Sequence, residues 1–131
     1  MALECNSAAL AAKRATEEDL RLLEESVNRL RGERERSERL LDNELSFHMN
    51  VAYATKNTVQ VHLMKSFYDL LYYGMNRAFP TLIQDRELDE LAFEHHLGIY
   101  EAIKDRDTNL ARETMERHIQ SVMEICRQKG L

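Results

Sequence analysis

Residues 85–128 read DRELDELAFEHHLGIYEAIKDRDTNLARETMERHIQSVMEICRQ, and their apolar side chains recur with a period of three to four that belongs to α-helices. The first helix of the pair runs from about Asp85 to Lys104 with Leu88, Ala92, Ile99 and Ile103 on one stripe. Asp107 caps the second, whose stripe is Ala111, Met115, Val122 and Ile125. Each stripe is interrupted at an inward position. His96 falls in the series 92, 96, 99, 103, and His118 in the series 111, 115, 118, 122, 125, where core side chains belong.

The rest of the chain divides the same way. A first helix spans about Ala2 to Arg14. A second starts after Thr16, whose hydroxyl is followed by Glu17, Glu18 and Asp19, and carries Leu20, Leu23, Val27 and Leu30. Gly32 marks a stop or a weak joint. A third helix runs through Leu41, Phe47, Val51 and Ala54 to Lys56-Asn57. The fourth extends from Thr58 to about Ala78 with Leu63, Phe67, Leu70, Leu71 and Met75, and Pro80 closes it. The expected fold is all-α, an antiparallel bundle of about six helices forming a single domain over residues 1–131.

Composition narrows the partners. With 44% apolar and 31% charged residues, one proline and four glycines, the chain is neither disordered nor rich in β-turns. No apolar run approaches the roughly 18 residues a bilayer needs, so no membrane partner is expected. A net charge of −5 gives no electrostatic footprint for nucleic acid. The dense charge between Lys13 and Arg39 contains both signs equally and reads as a solvated, ion-paired helix face. Cys5 and Cys126 sit at opposite ends without a CxxC pair or a secretory leader, which points to inert thiols in a reducing cytoplasm.

The third helix adds to the interruptions. Glu44 and His48 are four residues apart and stack on one face, so three histidines and a carboxylate from three helices point at one interior. A carboxylate buried without a partner costs several kcal/mol or a large pKa shift. One inward histidine is ordinarily a hydrogen-bonded core residue. The set of four, however, is a donor group for one divalent transition ion, zinc foremost, with nickel, manganese and iron compatible with three nitrogens and one oxygen. Four ligands close a tetrahedron, whereas an octahedral ion keeps two positions for water or ligand. The competing arrangement is a Glu44–histidine ion pair in a polar network without metal. His62 is expected at the surface, and His95, about 100° around the helix from His96, is exposed or supports a ligand from behind. Paired Glu-x-x-His, HExxH, GxSxG and glycine-rich phosphate loops are absent. Tyr68, Tyr72, Tyr73, Asn76 and Arg77 give the fourth helix a mixed face. Of these, Arg77, Tyr72, Tyr73 and Asn76 are candidate contacts for a bound carboxylate.

These residues resemble a family. Glu44-Leu45-Ser46-Phe47-His48, Asn57, the run from His96 to Ile103 with Asp107, and Ala111 to His118 are similar to the FCD domain. That is the C-terminal effector-binding domain of FadR-type GntR transcription regulators. The opening from Leu3-Glu4 through Ala8–Ala12 to Thr16–Leu20 resembles that domain's first two helices. The resemblance implies Glu44, His48, His96 and His118 as metal ligands, with Glu44 standing where the family usually has aspartate. It also implies a small organic acid effector, a homodimer, and DNA contact only through an N-terminal winged helix-turn-helix domain that this chain, starting at Met1, lacks. No enzymatic activity is expected. The alternatives are a small metal-dependent enzyme using an open His3Glu site, for which no general base remains once the ligands are assigned, and a structural dimerisation bundle with a closed metal site.

Overall fold

The computed structural model describes residues 2–131, which form six helices: α1 Ala2–Arg14, α2 Glu17–Glu35, α3 Leu41–Ala54, α4 Thr58–Leu82, α5 Arg86–Lys104 and α6 Thr108–Gln128. The N-caps are those that the side chains dictate. Thr16 accepts from the Asp19 amide at 3.2 Å while the Asp19 carboxylate accepts from the Thr16 amide at 2.8 Å, a reciprocal box that satisfies two donors at once. Asn57, Asp85 and Asp107 accept from the amides of Gln60, Leu88 and Leu110. Leu40 before α3 has no capping side chain. Buried Glu33 takes that role from α2, accepting from the Leu40 amide and from the Asn43 side chain.

Alanine explains the position of α1. Ala8, Ala11 and Ala12 are fully buried, and side chains this small let α1 run through the bundle against α3, α5 and α6. The core around it is built from Leu23, Val27 and Leu30 of α2, Phe47 and Val51 of α3, Ile99 and Ile103 of α5, and Ala111 and Met115 of α6. The stripes expected for α2 and α5 are therefore the ones that pack, and that of α6 enters the core through Ala111 and Met115, with Val122 and Ile125 only partly buried. No described helix is long and apolar enough to cross a membrane.

Three expectations are corrected. Gly32 lies inside α2, which continues to Glu35; the Arg36 side chain folds back over the space that a Cβ would take there. The reversal falls instead on Ser37 at φ 54, and α3 and α5 end likewise on Lys56 at φ 53 and Arg106 at φ 61. Pro80 does not end α4 near Ala78. The helix carries it to Leu82, because so near a C-terminus the missing amide and the crowded carbonyl disturb only one turn. On α4 the residues that pack on the bundle are Gln60, Met64 and Tyr68, whereas Leu63 and Leu70 are 50% and 80% exposed. Buried Gln60 sets that rotation by donating to the Leu3 carbonyl at 2.8 Å and to the Ser7 hydroxyl at 2.6 Å.

The bundle has a sealed end and an open end. At the sealed end Arg14 donates to the Thr55 carbonyl, Lys56 pairs with Asp19 at 2.7 Å, and Arg106 reaches the Ala12 carbonyl. At the open end the N-termini of α1, α3 and α5 and the C-termini of α4 and α6 surround a cavity of about 520 Å³.

Candidate metal and effector site

His48 from α3, His96 from α5 and His118 from α6 converge, all three buried; His48 and His118 line that cavity, and His96 packs against them outside its lining. Each offers one ring nitrogen, and these nitrogens lie within 4.8 Å of one another. Ring centroids are 5.4 Å apart for His48 and His96, 5.2 Å for His48 and His118, and 4.5 Å for His96 and His118. Phe47 lies 4.8 Å from the His96 ring. Local structure imposes the convergence, since His48 follows Phe47, which is anchored in the core, and His96 and His118 occupy positions on the packed stripes of α5 and α6.

His96 Nε2 and His118 Nδ1 are buried without a hydrogen-bond partner, whereas His48 Nδ1 faces the Glu4 carboxylate at 3.1 Å. Buried polar atoms nearly always have partners, so a pair of orphaned imidazole nitrogens fits a group that takes lone pairs. The protonation states agree. Burial, with the charge of His48 nearby, pushes His118 down to about 3. Burial, reinforced by the other histidines, puts His96 well below the usual histidine range. Two of the three rings are therefore neutral donors.

Glu44, the expected fourth ligand, has a carboxylate oxygen 3.4 Å from His96 Nε2 and borders the cavity, with its side chain 26% exposed. Burial, reinforced by Glu33 and Asp89, raises its carboxyl from the ordinary range to about 7 against the opposing pull of His48 and of Arg39, which is itself held in a two-pronged pair with Asp89 at 2.7 and 2.6 Å. An acid left so short of positive charge suits a cation. Of the four residues expected as ligands, the three histidines converge and Glu44 stands beside His96.

A second carboxylate joins them that the sequence reading did not single out. Glu4 in the first turn of α1 is buried, with one oxygen 3.1 Å from His48 Nδ1, and it accepts the Tyr68 hydroxyl at 2.7 Å. Burial works to raise Glu4, but His48 and Tyr68 outweigh it and hold the carboxyl below its usual value. Burial likewise works to lower His48, and Glu4 overcomes it and raises the ring. The main partner that holds a proton on His48 is thus Glu4, with Glu44 adding to it. The signal was present in the sequence. Glu4, Ala8, Ala11 and Ala15 follow one helical face, and an acid interrupts it as His96 and His118 interrupt theirs.

The remaining candidates fall elsewhere. His62 is exposed, and His95 is half-buried with its ring 5.7 Å from that of His118, outside the converging three. Tyr72 donates to Asp42 at 3.2 Å, Tyr73 is 73% exposed beneath Arg77, and Asn76 is exposed. None of Tyr72, Tyr73, Asn76 and Arg77 lines the cavity; Tyr68 does.

The chain resembles known proteins along nearly its whole length. The FCD domain family model matches residues 1–121. The Uxu operon regulator of Haemophilus influenzae is 29% identical over 124 residues, which are 92% of this chain and 46% of that protein. By its name that relative is an operon regulator. E. coli McbR/YncC shares the fold, with a TM-score of 0.82 and 20% identity over 98% of this chain and 61% of its own. The chain therefore spans about half the length of the curated relative.

Proposed function

Because the chain belongs to the FCD domain family, we propose that it is the effector-binding domain of a GntR-type transcription regulator. It holds one divalent transition ion, zinc foremost, on His48, His96, His118 and Glu44, and it senses a small organic acid in the adjoining cavity. The observation that carries the reading is the trio of buried imidazoles, each offering a ring nitrogen within 4.8 Å of the others, with His48 and His118 on the lining of a 520 Å³ cavity. When bound, the ion supplies a Lewis-acidic anchor for a carboxylate. The protein's own groups do the rest. Tyr68 and His48 hold Glu4 in place, Phe47 wedges His96, and Arg39 clamps Asp89 at the cavity wall with two hydrogen bonds.

DNA is reached through a winged helix-turn-helix domain elsewhere in the whole regulator, and the domain pairs with a second copy. The outward face of α4 suits that pairing, since Val59, Leu63, Leu70 and Tyr73 recur at helical spacing and are at least half exposed.

Metal analysis of gently purified protein tests the reading. We expect about one ion per chain, most of it lost in His96→Ala and in His118→Ala, with Glu44→Asp milder because it keeps a carboxylate at the position. Equal metal content in the wild type and both histidine variants overturns it.

A further inference from the structure

The walls of the cavity narrow the class of acid it takes. Its lining contains no lysine, arginine, serine, threonine, asparagine or glutamine. The charged groups are gathered toward the histidines, and two of the three acids are already engaged, Glu4 with His48 and Tyr68, Asp89 with Arg39. Glu44 is the third, assigned above to the ion. Elsewhere the lining is hydrocarbon, with Phe67, Leu71, Met75 and Phe79 from α4 facing Ile119 and Met123 from α6.

We propose that the ligand is a monocarboxylate with a hydrocarbon body of about ten carbons, not a polyhydroxylated or multiply charged acid; this rests on the carboxylate-anchor reading above. Away from the histidines a second carboxylate meets no lysine or arginine, and a row of hydroxyls meets no free side-chain partner, so each loses its water without replacement. A methylene chain loses nothing and covers the apolar walls. The size follows from the volume. At about 30 Å³ per methylene, the share that a water takes in the liquid, a ligand filling roughly half to two-thirds of 520 Å³ has on the order of ten carbons.

The test is a calorimetric titration of the zinc-loaded chain with straight-chain acids from butanoate to dodecanoate, beside succinate, citrate and gluconate. The expected result is one site per chain, with affinity rising about fourfold per added methylene, equivalent to about 0.8 kcal/mol, and levelling near decanoate. Succinate, citrate and gluconate should bind at least a hundredfold more weakly than decanoate. Met123→Lys places an ammonium on the wall at a side chain already 55% exposed, so the fold tolerates it. It should weaken decanoate at least tenfold and strengthen decanedioate, a reversal that nonspecific adsorption of a fatty acid does not produce.

A flat chain-length series, or citrate or gluconate binding more tightly than decanoate, overturns the inference. If that tighter binding requires the ion, the carboxylate-anchor reading survives alone. A full chain-length series that is equally strong in chelator-stripped protein does the reverse, removing the ion as anchor while leaving the hydrocarbon ligand class in place. No binding by any of these acids overturns both.

Discussion

Acidification of the metal-free protein should expose the burial of His118. Its folded pKa lies at about 3, against 6.5 for a free histidine, so between those values the unfolded chain binds a proton that the folded chain refuses. Stability from this group is therefore complete above about pH 6.5 and is lost as the pH falls below it. From about pH 7 to about pH 5 the loss is about 2 kcal/mol. For 131 residues, with an unfolding entropy of about 2.1 cal/mol/K per residue, that is a fall in Tm of about 7 °C.

Glu44 acts in the opposite sense. Its folded pKa of about 7 lies above the ordinary carboxyl value, so the folded state binds the extra proton and the same acidification restores stability. His118→Leu isolates the histidine because Glu44 is present on both sides of the comparison. Thermal unfolding followed by circular dichroism in excess chelator should show the wild type losing about 2 kcal/mol relative to the variant across this range. Parallel curves for the two proteins would refute the assignment of His118 as a buried neutral donor.

Tyr68→Phe removes the hydroxyl that donates to Glu4 at 2.7 Å and should cost about 1–3 kcal/mol, since it leaves a buried carboxylate short of a partner; chemical denaturation measures it. Leu70→Lys on the outer face of α4, where Leu70 is 80% exposed, should leave the helical signal intact while shifting the molecule to a single copy in analytical ultracentrifugation. The chain by itself, with its net charge of −5, should show no sequence-specific operator binding at physiological salt in a mobility-shift assay. Such binding appears on fusion to a winged-helix partner.

Helix number, the caps at Thr16 and Asp107, and the inward histidines were open to reading because each depends on local chemistry or on one helical period. The features that escaped have physical reasons. Helix ends were sought at glycine and proline, but Ser37, Lys56 and Arg106 carry the left-handed backbone, and Pro80 sits close enough to the end of α4 to be accommodated. The packed face of α4 was ambiguous because apolar residues nearly encircle the helix; the choice fell to Gln60, a polar residue whose partners, Leu3 and Ser7, lie on α1. Glu4 was passed over in an alanine-rich segment, although it breaks its face as the histidines break theirs. Tyr72, Tyr73, Asn76 and Arg77 share a helix with the cavity wall, but helical rotation turns them outside the lining.

The two ends of the bundle divide mechanical duty. Where Arg14, Lys56 and Arg106 tie the ends of α1, α3 and α5 to Thr55, Asp19 and Ala12, the crossing points act as a fulcrum. At the other end the C-terminal half of α4, from Leu70 onward, contributes no buried residue, so it is the arm with the least to lose by swinging outward. Entry to the cavity then needs only a local opening, well below the free energy of global unfolding. An occupant that bridges the histidine cluster and the hydrocarbon side chains of α4 draws that arm inward, and a small molecule thereby stiffens the half of the protein farthest from its fixed supports.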